Sequence, residues 1–258
     1  MTIYASYVIC TSPRSGSTLL CKLLAATGVA GKPGSYFHDG SISAWLGYYD
    51  LTPDVAALEK DILADVFNAA IAEGSAGTGL FGLRLQRHSF DFFMQKLRVL
   101  HPKPATDAKR LEAAFGRTAF IHLTRRDKVE QAVSYVKAEQ TGLWHAAPDG
   151  TELERLSPPQ APAYAPDKIA AQVEKMTAFD QQWESWFESQ GLSPLVITYE
   201  ALSADPVGTL KRVLEHLGRN PQAAGGVKPG VAKLADEMSK DWVTRFRAEK
   251  GRGVLSGK

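Results

Sequence analysis

Tyr7-Val8-Ile9-Cys10-Thr11-Ser12-Pro13-Arg14-Ser15-Gly16-Ser17-Thr18-Leu19-Leu20 is the stretch that decides the fold. A short apolar run enters a small, hydroxyl-rich turn, which opens onto Leu20, Leu23, Leu24 and Thr27 at helical spacing. A strand feeding a helix through such a turn builds an anion site. The N–H groups of the turn and of the helix start converge on one spot, and the helix dipole favours negative charge there. Arg14 adds a fixed cation, and Ser15, Gly16, Ser17 and Thr18 complete a cradle of hydroxyl and backbone donors. The turn lacks Gly-x-x-x-x-Gly-Lys-Ser/Thr, so no lysine stands where it would reach the outer phosphates of a triphosphate.

Outward from this turn, strand patterns alternate with helix patterns. The first helix stops at Gly28, and residues 28–53 carry seven glycines and prolines, which reads as a loop of functional size. The spacing predicts a helix over 53–73 with Val55, Leu58, Ile62, Val66 and Ala70 on its apolar face, and a strand over 80–85. Ser89 is the expected cap of a helix carrying Phe93, Leu97 and Leu100. A buried strand over 117–124 leads into a helix starting at Asp127, where Asp127 and Glu130 have capping-box spacing. Residues 145–167 hold five prolines and no periodicity, the pattern of a lid or linker within one domain spanning 1–258. A long amphipathic helix over 168–190 turns Ile169, Val173, Met176, Trp183, Trp186 and Phe187 inward. A strand over 195–199 follows, and then a helix with Asp205 as cap, Pro206 in its first turn and Gly218 past its end. This alternation implies an α/β fold with a mainly parallel sheet and helices on both faces.

A net charge of +2 gives no global reason to expect nucleic acid or a membrane surface as partner. With 44% apolar and 22% charged residues the composition is that of an ordinary globular chain. Cys10 and Cys21 are expected as buried, reduced thiols. No signal peptide or membrane-spanning run is visible, so a cytoplasmic protein without a membrane anchor is expected. Cysteine and histidine spacing matches no zinc pattern, and no Gly-x-Ser-x-Gly elbow is present, so neither metal nor acyl-transfer chemistry is expected.

Three further segments can carry chemistry. Arg125-Arg126-Asp127-Lys128 leaves the end of a strand, where α/β folds bind ligands, and Ser134 lies two turns into the next helix. An arginine fork and a serine hydroxyl suit a second phosphate; the alternative is a solvated cluster paired with Asp127 and Glu130. Two anion sites on one sheet edge suit a ligand phosphorylated at both ends. In Gly31-Lys32-Pro33-Gly34-Ser35-Tyr36-Phe37-His38, the imidazole of His38 can take a proton near neutral pH. Arg84, on an otherwise apolar strand, needs an anion or a carboxylate partner.

Taken together, these segments resemble bacterial carbohydrate sulfotransferases of the trehalose 2-sulfotransferase family. The resemblance runs through Ser12-x-Arg14-Ser-Gly-Ser-Thr-Leu-Leu20, Ala26-Thr-Gly-Val-Ala-Gly31, Gly82-x-Arg84 and Arg125-x-Asp127-x-x-x-Gln131-Ala-Val-Ser134. It continues in Trp183-x-x-Trp186-Phe187 and Asp241-Trp242-Val-x-Arg245-Phe-Arg247. It implies a P-loop-like three-layer α/β fold, the donor 3′-phosphoadenylyl sulfate, a sugar or glycolipid acceptor, and a homodimer. Residues Arg14 to Thr18 would hold the 5′-phosphosulfate, and Arg125 and Ser134 the 3′-phosphate. Arg84 stands where the resemblance suggests lysine. Ser35, Tyr36 and Phe37 are expected against the acceptor. Ser35, however, occupies the slot of the family's catalytic glutamate in Gly-x-Pro-x-Glu-x-Phe, and a serine of ordinary pKa cannot act as base. The proton is therefore assigned to His38, and trehalose is no longer implied as the acceptor. A nucleotide-dependent kinase and a non-catalytic binder of phosphorylated nucleotides are the rival readings.

Overall fold

The computed structural model describes residues 4–255. In chain order the elements are β1 (Ser6–Thr11), α1 (Ser17–Ala26), α2 (Ile42–Tyr48), α3 (Glu59–Ser75), β2 (Phe81–Gln86), α4 (Arg87–Leu100), α5 (Asp107–Phe115) and β3 (Thr118–Thr124). They continue with α6 (Lys128–Thr141), β4 (Leu143–Ala146), β5 (Glu152–Arg155), α7 (Pro166–Ser189), β6 (Leu195–Thr198), α8 (Tyr199–Ala204), α9 (Pro206–His216) and α10 (Glu237–Leu255).

Four strands form one parallel sheet in the order β2-β1-β3-β6. All six residues of β1 are buried, because helices cover both faces of the strand and neither face can be polar. Alternate side chains enter different cores. Val8 and Cys10 join Leu83, Leu85, Phe93 and Trp183 under α3, α4 and α7. Tyr7 and Ile9 join Leu20, Leu23, Leu210 and Leu214 under α1 and α9. The expected three-layer α/β arrangement is thus present. A third cluster, with Val133, Ile169, Trp242 and Phe246, packs α10 against α6 and α7. Cys10 and Cys21 are both buried and free. No helix among the described residues is long and apolar enough to cross a membrane.

Several local expectations are corrected. Helix α3 begins at Glu59, not at 53: Val55 and Leu58 are exposed, and the buried stripe is Leu63, Val66, Phe67 and Ala70. The apolar spacing extends further than the surface available to cover it. Helix α4 starts at Arg87, directly off β2, so Ser89 lies inside its first turn, where its hydroxyl donates to the Gln86 carbonyl. Residues 28–53 contain the short helix α2, capped by Ser41. Helix α5, capped by Thr106, and helix α10 were not expected.

The proline-rich stretch 145–167 is not structureless. Its first part pairs with β4 as an antiparallel hairpin, β4–β5, turned at Asp149-Gly150 with Gly150 at φ 88°. An Asp-Gly turn is a hairpin signal in its own right.

Candidate functional site

Strand order reverses at β1: the chain passes from β1 out to β2 on one side and returns to β3 on the other. The crevice at the carboxyl ends of β1 and β3 is where such a fold binds ligands. The turn 12–16 fills it. Arg14 (φ 62°) and Gly16 (φ 87°) both take the left-handed conformation. At Gly16 glycine is required twice over, since a Cβ there would also lie 2.6 Å from the ring of Tyr199.

Buried polar side chains hold this turn. Gln131 donates to Ser12 Oγ (3.0 Å) and to the Pro13 carbonyl (2.7 Å), and Ser12 Oγ donates to Asp180 (3.3 Å). Asp180 also accepts from Thr124 and from Lys128 Nζ. The indole N–H of Trp183 donates to the Thr11 carbonyl at 2.8 Å. The turn is therefore shaped by α6 and α7 as much as by its own residues.

The two expected anion sites meet. Arg14 Nε donates to Ser134 Oγ at 3.0 Å, and its Nη1 donates to the Trp144 carbonyl. Burial, and then the neighbouring Arg125, push the Arg14 guanidinium down to about 10. Arg125 is 5% exposed, lies 4.3 Å over the ring of Tyr199 and pairs with Glu130 at 2.7 Å. The pairing with Glu130 is the contact expected of a solvated cluster, yet the guanidinium is buried and its Nε–H has no partner. The buried guanidinium of Arg125, with its unpartnered N–H, and the half-buried guanidinium of Arg14 beside it have one ion-paired carboxylate between them and form a site that suits an anion.

On the other side of the turn, Arg84 Nε donates to Ser35 Oγ (2.7 Å). Its Nη1 donates to Thr18 Oγ1 (2.8 Å) and reaches Ser17 Oγ at 3.5 Å. Its partners are thus hydroxyls rather than the carboxylate that an isolated strand arginine would require. The rings of His38 and His88 meet edge to face at 5.0 Å. Burial lowers both, His88 to about 4, so each is neutral at neutral pH.

Arg14, Gly16, Ser17, Thr18, Ser35, His38, Arg84, Arg125 and Ser134 all line one cleft of about 1670 Å³. Ser15, Tyr36 and Phe37 do not. The Ser15 hydroxyl is turned inward to Thr11. Tyr36 bonds to the Lys32 carbonyl and stacks on Phe81, while Phe37 packs among Trp45, Phe67 and Phe93. The cause is the parallel bridge of Gly34 to Leu83, which sews the segment to the edge of β2 and leaves Ser35, but not Tyr36 or Phe37, facing the cleft. This corrects the expectation that Tyr36 and Phe37 touch a ligand.

Sequence reasoning missed His145 and Glu154, which the hairpin β4–β5 brings to the same cleft. His145 Nε2 lies 3.0 Å from Thr18 Oγ1 and 3.4 Å from Glu154 Oε2. The Asp149-Gly150 turn between two short strands was the signal that could have found them.

Residues 6–249 match the family model described as Stf0 sulphotransferase. The chain belongs to that family. Among its relatives, the trehalose 2-sulfotransferase of Mycolicibacterium smegmatis is 29% identical over 276 aligned positions, covering 97% of both chains. That of Mycobacterium tuberculosis is 28% identical over 274, covering 95% of this chain and 96% of the relative. The sulfotransferase domain of the Synechococcus PCC 7002 olefin synthase superposes with a TM-score of 0.45 at 16% identity, covering 96% of this chain and 89% of that one. A sulfotransferase from Alicyclobacillus acidocaldarius superposes with 0.43 at 14% identity, covering 96% and 93%. The Stf0 match takes in the anion turn, Arg84, the Arg125 junction and the β4–β5 hairpin alike.

Proposed function

We propose that this Stf0 sulfotransferase moves a sulfuryl group from 3′-phosphoadenylyl sulfate to a hydroxyl of a carbohydrate or glycolipid. The observation that carries the donor is the buried, unpartnered Nε–H of Arg125 beside Arg14 and Ser134. A 3′-phosphate supplies the charge and the acceptor oxygens that this corner lacks. The donor contributes a sulfuryl group already activated as a mixed anhydride. Names of the trehalose-sulfating relatives support a sugar hydroxyl as acceptor.

In this reading Gly16, Ser17 and Thr18 offer backbone and hydroxyl donors to the 5′-phosphosulfate. Arg14 stabilises charge building on the leaving oxygen, and losing one such donor typically costs about 3 kcal/mol of barrier. Arg84, reaching Ser17 and Thr18, holds the equatorial oxygens of the group in transfer. Arg125 and Ser134 supply remote binding that keeps the reacting atoms in line. His38 takes the acceptor proton, since Ser35 is bonded to Arg84 and cannot act as base. No group of three or more potential metal ligands is found among the described residues, and arginines supply the neutralisation in this reading.

Calorimetric binding of adenosine 3′,5′-bisphosphate against ADP, with and without Mg²⁺, tests the donor. Tight, metal-independent binding of the bisphosphate is expected, weakened in Arg125→Ala by roughly 10-fold or more, the scale of a lost charged hydrogen bond. Preference for ADP or a strict Mg²⁺ requirement would overturn the assignment in favour of a kinase.

A further inference from the structure

The hairpin β4–β5 reaches the anion turn through two direct bonds, from Arg14 Nη1 to the Trp144 carbonyl and between Thr18 and His145. It is itself anchored from behind, where Ala232 N donates to the Ala146 carbonyl at 2.8 Å. His145 therefore sits at the mouth of the cradle, one hydroxyl away from Arg84, which shares Thr18 Oγ1 with it. Glu154 stands on its other side.

Glu154 differs from the other carboxylates of the cleft. Glu130 is tied to Arg125, and Asp236 is tied to Lys137. Among the described residues no lysine or arginine pairs with Glu154; its partner is the His145 ring.

We propose that His145 and Glu154 complete the donor site as a proton-linked clamp. When the donor's 5′ anion binds beside Thr18, His145 takes up a proton from solvent and places a positive charge between Glu154 and the bound anion. The proton returns to solvent when the nucleotide product leaves. This rests on the donor assignment made above and adds a residue to it.

The charges facing His145 explain the linkage. Arg14 comes from the turn, Lys22 from α1 and Arg84 from β2, with Glu154 opposite on β5. Burial, followed by the three cations, pushes the His145 imidazole down to about 3, so the empty site holds it neutral. An anion seated among Arg14, Arg84 and Thr18 offsets those cations and adds its own attraction to that of Glu154, against the burial that still favours the neutral ring. Proton uptake on binding follows from the difference.

The test is calorimetry of adenosine 3′,5′-bisphosphate at pH 7.5 in buffers of different ionisation enthalpy, with wild type, His145→Gln and Glu154→Gln. The bisphosphate's own titration is common to all three and cancels in the comparison. Wild type is expected to take up more protons than His145→Gln, by up to about one per site. Its affinity should also fall more steeply as pH rises than that of His145→Gln. Glu154→Gln, which keeps the ring and its bond to Thr18, should show intermediate uptake and reports the same proton if His145→Gln fails to fold. Equal uptake in wild type and the variants would overturn the clamp while leaving the donor assignment intact. Failure of the bisphosphate to bind wild type would overturn the donor assignment itself.

Discussion

Ser35 and His38 pose the residue-scale question, because one occupies the slot of a catalytic carboxylate and the other is the nearest imidazole in sequence. The Ser35 hydroxyl is committed to Arg84 at 2.7 Å and so orients a cation rather than removing a proton. His38 faces the same cleft and is held neutral by burial, with Asp39 opposing and Arg84 assisting. His38→Ala is therefore expected to lower turnover by roughly 10²–10⁴-fold. Bisphosphate affinity should stay within about twofold of wild type, because the ring is not part of the proposed donor cradle. Steady-state kinetics beside calorimetry checks both halves, and near-normal turnover would move the base elsewhere. Lysine at position 84 would keep the charge but lose the fork that reaches Ser35 and Thr18 together.

At the scale of elements, the β1–α1 turn depends on the helices around it. Gly16 meets the Tyr199 ring at the start of α8, and that ring carries Arg125 on its face. Gly16→Ala combines a left-handed φ with a collision, so it should cost about 1–3 kcal/mol of stability. Bisphosphate binding should weaken with it, because displacing Tyr199 displaces Arg125. Gly47→Ala is the control: it lies in α2 at an ordinary φ with open space around it and should be neutral or slightly stabilising. Urea midpoints of the two variants decide the matter, and indistinguishable midpoints would reject this account of the turn. The capping of α6 shows the same interdependence. Asp127 accepts from Glu130 N as a capping box requires, but the side chain of Glu130 goes to Arg125, and Glu200 of α8 accepts from Asp127 N instead.

Across the whole molecule, burial lowers His38, His88, His122 and His145 alike. A histidine whose folded pKa lies below its unfolded value near 6.5 binds its proton better when unfolded. Its contribution is complete above that unfolded value and is lost as pH falls towards the folded one, about 4 for His88 and about 3 for His145. The ligand-free protein should therefore melt at steadily lower temperature from pH 6.5 to 5, a range in which most carboxylates remain ionised. Replacing both His88 and His145 with glutamine should flatten that slope. Calorimetric melts across the range test this, and a slope unchanged by the double substitution would count against it.

The sequence alone determined the framework, because its signals are local. Apolar runs of strand length, the Gly28 and Gly218 helix stops, and the hydroxyl-rich turn act on near neighbours, so β1, β3, the first helix and the turn between β1 and α1 were legible. Arg14, Arg84 and Arg125 were legible as well, since a charge at the end or in the middle of a buried strand needs an explanation wherever the strand lies. The tertiary structure alone decided which of these residues share a cleft. The bond between Arg14 and Ser134 spans 120 positions, and the network of Asp180 with Ser12 spans 168. Tyr36 and Phe37 turned inward because a bridge to Leu83 fixed their segment, and no spacing within that segment records the bridge. His145 and Glu154 reached the cleft because an antiparallel hairpin meets the start of α1, where His145 lies against Thr18. Pairing between strands is set by long-range packing, which neighbouring residues do not encode.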